Sequence, residues 1–526
     1  MEFDPTLIHD WLSRAARRNP AKEAIVCEQD RWTYGRLDAC SDLFAQGLIR
    51  LGMQRQDRVV ILLGNCPETV VSLYGTLKAG GVFVVLDVNT RARRLRHILQ
   101  DSAAKILVAR ASQASVVCEA FDGLGDDLRV VWLGEERIPD IPCVTWDGLL
   151  SGSSGGGRLT RPSSCAGFHR SIDLDLAAIV YTSATTGAAK GVMCTHCNVV
   201  SAARSIIQYL DNTEQDVLLN VLPLSFSYGL YQVLTSCIFG GTVVLERCFL
   251  YPHVTLTRIA QEKVTGLPLV PSVAAIVLHM DDISRYDFST LRYITSAGAA
   301  LPVRHLRRLR GLVPQARLFN MYGLTECVRV CYLTGAELDD HPASVGRPMP
   351  NCEVRIVDDD GDDVAAGETG ELLVRGANVM QGYWGDPEMS VSTCRPAGYS
   401  ASRWLRSGDY FRMDTEGRLY FHGRKDDMIK THGKRVSPRE VEDVICEMED
   451  VIEAAVIGVP DGILGQTIKA FVVSRADRFD KKAVLRHCVN RLEPVMVPKY
   501  VELVPAIPKT VRGKTDRREL QTMGTR

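Results

Sequence analysis

Residues 177–191 read AAIVYTSATTGAAKG, a short apolar run followed by hydroxyl-bearing and small residues and a single lysine. The apolar run at 177–180 predicts a buried strand. A strand that leads into such a loop offers backbone N–H groups, hydroxyl donors and one positive charge, which together suit the polyphosphate of ATP. The spacing does not satisfy G-x-x-x-x-G-K-[ST], and the Gly-Lys-Thr triplet at 513–515 fails because position 508 is proline. The stretch therefore predicts an ATP-binding loop that is not a P-loop.

Apolar runs of the same kind precede this stretch and alternate with helical patterns of roughly ten to fifteen residues. The runs occupy residues 24–26, 59–63, 82–86, 106–108 and 130–133. Their alternation predicts α/β layers with mostly parallel strands. A Ser/Gly-rich segment at 151–157 predicts a flexible surface connection to a second α/β block, which covers roughly 172 to 350.

The pattern changes twice after this block. Beyond Pro350, short strand patterns with turn residues predict a small β-rich subdomain. From Asp427 onward the pattern predicts a helix at 438–449, strands at 454–457 and 469–473, and a helix that begins at 481. These elements form an α+β unit of about 100 residues, which is large enough to fold as a domain. The expected fold class is α/β, with two α/β subdomains and a β-rich subdomain in a large N-terminal portion and a small α+β C-terminal domain.

Composition and charge exclude several classes of partner. The 526 residues carry 62 Lys and Arg against 63 Asp and Glu, a formal net charge of -1, so electrostatics give no reason to expect nucleic acid or an anionic membrane as a partner. Residues 217–245 are uncharged, but one proline and three glycines interrupt them. This segment therefore predicts a buried helix followed by a buried strand, not a membrane span. The N-terminus lacks the pattern of a secretory signal, and we expect a cytoplasmic protein.

The cysteines do not form a metal or disulfide pattern. Sixteen are scattered without a paired framework, as in a cytosolic protein that keeps them reduced. Cys194 and Cys197 match C-x-x-C, but no second pair stands at zinc-ligand spacing. Thr195 between them is better interpreted as the N-cap of a helix.

Further motifs follow one another in order along the chain. They are WTY at 32–34, LKAGG at 77–81, YGLTE at 322–326, GEL at 370–372, SGD at 407–409, GRKDD at 423–427 and PKTVRGK at 508–514. With these motifs the chain resembles, nearly end to end, the AMP-forming acyl-adenylate superfamily of acyl-CoA synthetases, nonribosomal peptide synthetase adenylation domains and firefly-type luciferases. The resemblance implies an AMP-forming acid–thiol ligase that adenylates a carboxylic acid with ATP and passes the acyl group to a pantetheine thiol.

The resemblance also implies roles for residues around the nucleotide. Tyr322 is expected to stack on adenine, Thr325 to meet the α-phosphate and Glu326 to help hold Mg²⁺, which are partners that suit a π-face, a hydroxyl and a carboxylate. Asp409 is expected to accept both ribose hydroxyls, and Arg424 to contact the ribose as well. The other nucleotide-binding residues implied by the resemblance are Thr182, Ser183, Thr185, Thr186, Gly187, Lys190, Gly298 and Ala299.

Two states of the active site follow from the same resemblance. It implies an N-terminal domain at 1–425 and a mobile C-terminal domain at 426–526, with the hinge at Asp426. In the first state, Lys514 would place positive charge between the attacking carboxylate and the α-phosphate. In the second, the C-terminal domain would rotate, withdraw Lys514 and present the thiol-binding residues, which are Lys430, Gly433 and Arg435.

The pocket for the acid is expected near these motifs. Its candidate lining residues are Phe226, Ser227, Tyr228, Cys327, Arg329 and Val330. Relatives that activate amino acids place an aspartate where this chain has Ser227, so a free α-amino acid would lose its charge partner and an acyl, aryl or hydroxy acid is favoured. Arg329 could bind a second carboxylate on the substrate, although a structural ion pair is the favoured interpretation.

Some alternatives stay open on the sequence. Because no carrier domain follows residue 526, the thiol is expected on CoA or on the phosphopantetheine of a separate acyl or peptidyl carrier protein. A stand-alone amino-acid-adenylating enzyme that loads a peptidyl carrier protein is the alternative function. Ala184 stands where most members of the superfamily have glycine, and Ala189 where many have proline. An inactive, nucleotide-binding paralogue is therefore the non-enzymatic alternative.

Overall fold

A computed structural model describes residues 4–121, 127–134, 141, 143–151, 170–182, 189–299, 301–397, 400–431, 434–461, 465–475, 480–510 and 514–524. The predicted connection at 152–157 and the loop residues 183–188 lie outside these ranges, as do Gly433 and Gly513.

The first sheet has eight strands and contains the strand that precedes the predicted ATP loop. In spatial order its strands are Gly382–Tyr383, Lys190–Thr195, Leu176–Thr182, Val82–Val85, Arg58–Leu62, Ile106–Arg110, Arg129–Leu133 and Cys143–Thr145. All neighbours from Leu176–Thr182 to Cys143–Thr145 pair in parallel. Leu176–Thr182 and Lys190–Thr195 pair antiparallel, so the predicted loop joins two adjacent strands.

The second sheet has nine strands. In spatial order they are Arg347–Pro348, Cys331–Leu333, Arg317–Tyr322, Tyr293–Ser296, Gly266–Leu269, Val217–Asn220, Thr242–Leu245, Glu23–Cys27 and Asp30–Thr33. The strands from Arg317–Tyr322 to Glu23–Cys27 are parallel. The expected α/β layers with mostly parallel strands are thus confirmed.

The two α/β blocks are less separate than the sequence suggested. Glu23–Cys27 lies in the first block of sequence but pairs with Thr242–Leu245 of the second sheet, while Leu176–Thr182 and Lys190–Thr195 complete the first sheet. Apolar strands bury both faces in parallel sheets, and their residues therefore do not specify which strand will be the neighbour.

Helices cover the two sheets. The helices are Ile8–Arg18, Tyr34–Arg50, Pro67–Lys78, Ala92–Asp101, Ala114–Phe121, Trp146–Ser151, His196–Leu210, Ser227–Phe239, Pro252–Gln261, Pro271–Leu278 and Val303–Leu312.

The core between and outside the sheets explains why the strands are apolar throughout. In Arg58–Leu62, Val59 and Ile61 belong to the core shared with the second sheet, whereas Val60 and Leu62 belong to the core on the opposite face. Successive side chains therefore fill two different cores.

Two local predictions in this region are confirmed. Thr195 caps helix His196–Leu210 in a reciprocal arrangement: its Oγ1 accepts the Asn198 N–H at 3.1 Å, and Asn198 Oδ1 accepts the Thr195 N–H at 2.9 Å. The uncharged segment contains helix Ser227–Phe239 followed by the buried strand Thr242–Leu245. Among the helices that the structure describes, not one has the length and apolar character that crossing a bilayer requires.

The predicted β-rich subdomain is an antiparallel sheet of five strands. The strands are Cys352–Val357, Thr369–Gly376, Ser400–Met413, Cys394–Ala397 and Leu419–Arg424, and the short helix Pro387–Thr393 precedes Cys394.

The C-terminal residues form a second five-stranded sheet with its own core clusters. Its strands are Lys434–Val436, Ile429–Thr431, Gly465–Ser474, Val451–Asp461 and Tyr500–Leu503, and its helices are Pro438–Ile445, Lys481–Val489 and Arg517–Gly524. The helix predicted to reach residue 449 ends at Ile445, because residues 447–450 form the turn that leads into the next strand. The α+β character of this unit is confirmed, while the boundary at 425/426 stays a prediction.

Candidate functional site

The predicted site residues follow the carboxyl ends of neighbouring parallel strands in the second sheet. Phe226 comes after Val217–Asn220, Gly298 after Tyr293–Ser296, and Tyr322 ends Arg317–Tyr322. In open α/β sheets, ligands bind in the crevice at this edge.

A buried carboxylate lies at the centre of the site. Asp409 is 7% exposed, and its Oδ2 accepts the Tyr322 hydroxyl at 2.5 Å. The Arg424 Nε lies 3.3 Å from Asp409 Oδ1. The register of the β-rich sheet explains this pair, because Asp409 and Arg424 are direct cross-strand partners.

Burial and neighbouring charges have opposite effects on the ionisation of Asp409. Burial raises the pKa of Asp409, whereas the nearby charges of Arg424 and Lys514 and the hydrogen bond from Tyr322 favour the ionised form. Its Oδ1 is buried and accepts no hydrogen bond from any described residue. A charged acceptor of this kind suits hydroxyl donors of a ligand.

The Tyr322 ring is fixed by aromatic neighbours. The ring packs edge-to-face against Phe411 at 4.7 Å between centroids and lies 6.1 Å from the ring of Phe421. Such packing holds the plane of Tyr322, so the ring can serve as a stacking surface for a flat ligand.

Lys514 belongs to the C-terminal unit, where the Thr510 N–H donates to its carbonyl at 2.7 Å. The charge of Lys514 lowers the pKa of Asp409. The C-terminal unit is also held by Arg517, whose Nη2 donates to Glu442 at 2.8 Å and whose Nε lies 3.4 Å from Asp427.

Glu326 and Lys190 converge on Tyr383, a residue that sequence reasoning missed. The Tyr383 hydroxyl donates to Glu326 Oε1 at 2.9 Å, and the Lys190 Nζ lies 5.7 Å from the centre of the Tyr383 ring. Tyr383 stands 57 residues from Glu326 in the chain and carries no motif of its own, so no signal in the sequence indicates this contact.

The edges of the predicted ATP loop are described, although most of the loop is not. Thr182 and Lys190 are cross-strand partners that flank it. Ser183, Thr185, Thr186 and Gly187, like Ala184, lie outside the described residues. Ala189 is described and packs against the core on the outer face of the first sheet.

The loop after Tyr322 is tightly folded. A Cβ on Gly323 would lie 2.2 Å from the Val328 carbonyl oxygen, so only glycine fits there. Thr325 is half-buried in this loop, and the Glu326 carbonyl accepts the Met380 N–H at 2.7 Å.

The expected pocket residues also lie together. The Phe226 ring stands 6.3 Å from the Tyr228 ring and would contact a Cβ on Gly298 at 3.3 Å, where φ is +91°. The Tyr228 hydroxyl bonds Thr295 Oγ1 at 2.6 Å. The remaining candidates Ser227, Cys327 and Val330 are buried, while Ala299 is exposed.

The structural ion pair favoured for Arg329 is not found among the residues that the structure describes. Arg329 is 3% exposed, and its guanidinium makes no ion pair with any carboxylate of the described residues. Its carbon Cζ lies 4.9 Å from the centre of the Tyr228 ring. Sequence spacing could not reveal that this side chain points to aromatic rings.

The expected thiol-binding residues are only partly described. Lys430 is exposed, and its N–H donates to Gln466 Oε1 at 2.9 Å. Its strand pairs with Lys434–Val436, which places Lys430 opposite Arg435. Asp426 lies in the single 3₁₀ turn Lys425–Asp427 between the β-rich sheet and this hairpin.

Comparisons with known proteins agree with this arrangement. The family model described as AMP-binding enzyme matches residues 12–384, and the model of the AMP-binding enzyme C-terminal domain matches residues 440–514. The chain is 30% identical to a long-chain-fatty-acid–CoA ligase of Bacillus subtilis, covering 97% of this chain and 93% of the relative. It is also 30% identical to an indoleacetate–CoA ligase of Aromatoleum aromaticum, and the match covers 99% of this chain and 98% of the relative.

Solved structures give the same result. The anthranilate CoA ligase AuaEII in complex with anthranoyl-AMP superposes with a TM-score of 0.89 at 25% identity, covering 99% of this chain and 97% of that one. A benzoate CoA ligase from Burkholderia xenovorans superposes with a TM-score of 0.85 at 26% identity, covering 98% and 99%.

Proposed function

Because the chain belongs to the AMP-binding enzyme family, we propose that the pocket around Asp409 is where it joins AMP to a carboxylic acid. The chain is an AMP-forming acid–CoA ligase that uses ATP and CoA. The observation that carries the assignment of the site is the contact of Tyr322 and Arg424, from two separate segments, with the buried carboxylate of Asp409, whose pKa the charge of Lys514 also lowers.

The nucleotide would be held by groups that match its parts. Tyr322 stacks on adenine, Asp409 accepts the ribose hydroxyls, and Arg424 contacts the ribose beside it. Thr182 and Lys190, together with the loop residues between them, surround the phosphates. This assignment is supported by the fixed ring of Tyr322 and by Asp409 Oδ1, which is paired with Arg424 but accepts no hydrogen bond from a described residue.

Glu326 would hold Mg²⁺ together with the phosphates of ATP. No group of three or more His, Cys, Asp or Glu side chains in the described ranges could bind a metal by itself. Mg²⁺ usually takes one or two protein carboxylates plus phosphate oxygens, so a single glutamate beside the phosphate loop fits this cation. When bound, the cation supplies charge neutralisation of the phosphates.

Adenylation would proceed by attack of the acid carboxylate on the α-phosphorus. A carboxylate oxygen forms the new bond to phosphorus as the bond to the bridging oxygen breaks and pyrophosphate leaves. Lys514 and Thr325 stabilise the negative charge of the α-phosphate during this step. Lys514 thereby reduces the repulsion between two anions that must approach each other.

Thioester formation would use the same pocket after a rotation at Asp426. Residues 426–526 would move Lys514 away and bring Lys430, Gly433 and Arg435 to the incoming thiol. The thiol sulfur attacks the acyl carbonyl, AMP leaves, and the thiol proton passes to solvent. CoA is the acceptor of the enzymes that the chain resembles, and a separate acyl or peptidyl carrier protein is the alternative acceptor to test.

A free amino acid is a poor candidate substrate. Ser227 is buried at the start of helix Ser227–Phe239, and a hydroxyl there does not compensate the charge of a substrate ammonium. The aromatic rings of Phe226 and Tyr228 favour a compact acid with a flat or short apolar body.

The test is acid-dependent pyrophosphate exchange across fatty, aryl and amino acids, followed by mass spectrometry of the product with CoA or a carrier protein. We expect exchange with a compact acid and a CoA thioester with release of AMP. Exchange with amino acids alone would contradict the proposed substrate class. In a Ser227→Asp variant, we expect some amino-acid activation to appear.

A further inference from the structure

Arg329 carries a buried charge that has no ion-pair partner in the described part of the chain. The side chain lies under aromatic rings, makes no ion pair with the described carboxylates, and its buried Nε has no hydrogen-bond partner among the described residues. Arg418, the other buried arginine of the described residues, also has an Nε without a hydrogen-bond partner, but its guanidinium forms ion pairs with Asp414 and Glu416. A lone buried cation is costly, and such groups are normally paired.

The backbone around Arg329 fixes the position of this side chain, and it does so in a strained conformation. Val328 has φ of +62°, an unfavourable conformation for a β-branched residue, and the Arg329 N–H donates to the Cys327 carbonyl at 2.7 Å, which closes a γ-turn. The buried Asn378 clamps the turn, because its Nδ2 donates to the carbonyls of both Cys327 and Arg329 at 2.9 Å. Strained backbone of this kind is concentrated at functional sites.

The guanidinium lines a small internal cavity beside the expected acid pocket. The other lining residues include Tyr209, Tyr228, Tyr231, Thr295 and Met321. The free space is about that of one water molecule, so a small polar group could enter, whereas a long alkyl chain could not. The Tyr228 ring lines this cavity and also packs against Phe226, which lies beside Gly298, so the cavity adjoins the expected acid pocket.

We propose that Arg329 selects an acid that carries a second carboxylate at the end away from the reacting carboxyl group. One oxygen of the distal carboxylate occupies the water-sized cavity, where its charge neutralises the guanidinium, and the aromatic side chains contact the body of the acid. Fork-shaped guanidinium donors match a carboxylate well. The inference rests on the proposed function, since it assigns the substrate class of the same site.

The test uses pairs of acids in which a carboxylate replaces a distal methyl group. The pairs are butyrate with succinate, hexanoate with adipate, m-toluate with isophthalate, and p-toluate with terephthalate. Pyrophosphate exchange gives kcat/KM for each acid at saturating ATP. We expect the parent enzyme to prefer the dicarboxylate in at least one pair by about 100-fold, because the loss of one partner of a buried charge pair has an effect of this size.

Three variants separate recognition from a structural role. Arg329→Met should lose the preference by lowering kcat/KM for the dicarboxylate about 100-fold while that for the methyl acid is kept or raised. Arg329→Lys should restore part of the preference. Arg418→Met is the matched control, because it removes another buried arginine outside this cavity and should leave the ratio unchanged. Binding of ATP to each variant shows that the fold is intact.

The outcomes are distinct. A parent enzyme that prefers the methyl acid in every pair overturns the inference, and so does an Arg329→Met variant that binds ATP but loses both acids of a pair equally. The ratio of kcat/KM between dicarboxylate and methyl acid in the parent enzyme tests the inference even if Arg329→Met does not fold. Exchange that depends on no acid of any class contradicts the proposed function itself, and the inference falls with it.

Discussion

Asp409 has one buried carboxylate oxygen, Oδ1, that lies 3.3 Å from the Arg424 Nε and accepts no hydrogen bond from any described residue. If it accepts the ribose hydroxyls, Asp409→Asn weakens charged hydrogen bonds and should raise the KM for ATP about 10- to 100-fold. Pyrophosphate exchange at varied ATP measures this. Asp414→Asn is the control, because Asp414 shapes the turn at the other end of the same strand pair. An unchanged KM for ATP in Asp409→Asn would contradict the assignment.

The pKa of the same residue predicts how stability depends on pH. Burial raises the pKa of Asp409 in the folded protein, so the fold binds this proton more tightly than the unfolded chain does. The resulting stability is fully present below the ordinary aspartate pKa of about 3.9 and is lost as pH rises through the raised folded value. The side chain in Asp409→Asn does not ionise. We therefore expect the melting temperature of this variant without nucleotide, relative to that of the parent, to rise as the pH increases from acidic to neutral. A difference that stays constant with pH would argue against this.

Among the structural elements, the turn 327–329 depends on a single distant side chain. Asn378→Ala leaves the Arg329 carbonyl without its donor and the Cys327 carbonyl with only the Arg329 N–H, and it should lower the free energy of unfolding by about 1–3 kcal/mol. It should also raise the KM for the acid more than that for ATP. Thermal unfolding and exchange kinetics measure the two effects. The exposed Asn89→Ala is the control, and equal behaviour of both variants would contradict the role of Asn378.

The sequence predicts helices and strands from local patterns, but it does not predict side-chain hydrogen bonds between distant segments. Helix His196–Leu210 follows from the capping pattern at Thr195, and the apolar runs predicted the parallel strands. The bonds from Asn378 and Tyr383 span 49 to 57 residues, and no local pattern encodes them. The resemblance indicated Asp409 and Arg424, and the structure adds that they are direct cross-strand partners. The lack of an ion-pair partner for Arg329 among the described residues became visible only when the structure showed which side chains surround it.

For the whole molecule, the proposal requires one chain to adopt two arrangements about Asp426. Asp426→Pro restricts the backbone at this point, so we expect acyl-AMP formation within a few-fold of the parent and a much slower thioester step. Single-turnover measurements of each half-reaction separate the two. Asp426→Ala, which leaves the backbone free, should behave like the parent. Equal slowing of both steps by Asp426→Pro would contradict a hinge at this position.

We propose that Lys514 of the C-terminal unit stabilises the charge of the α-phosphate in the pocket around Asp409, and the Lys514→Ala variant tests this role. The measurement compares pyrophosphate exchange with the conversion of supplied acyl-adenylate and CoA to thioester. We expect exchange to fall by about 10²–10³ while ATP still binds and the supplied adenylate is still consumed. Exchange as fast as that of the parent would contradict the mechanism.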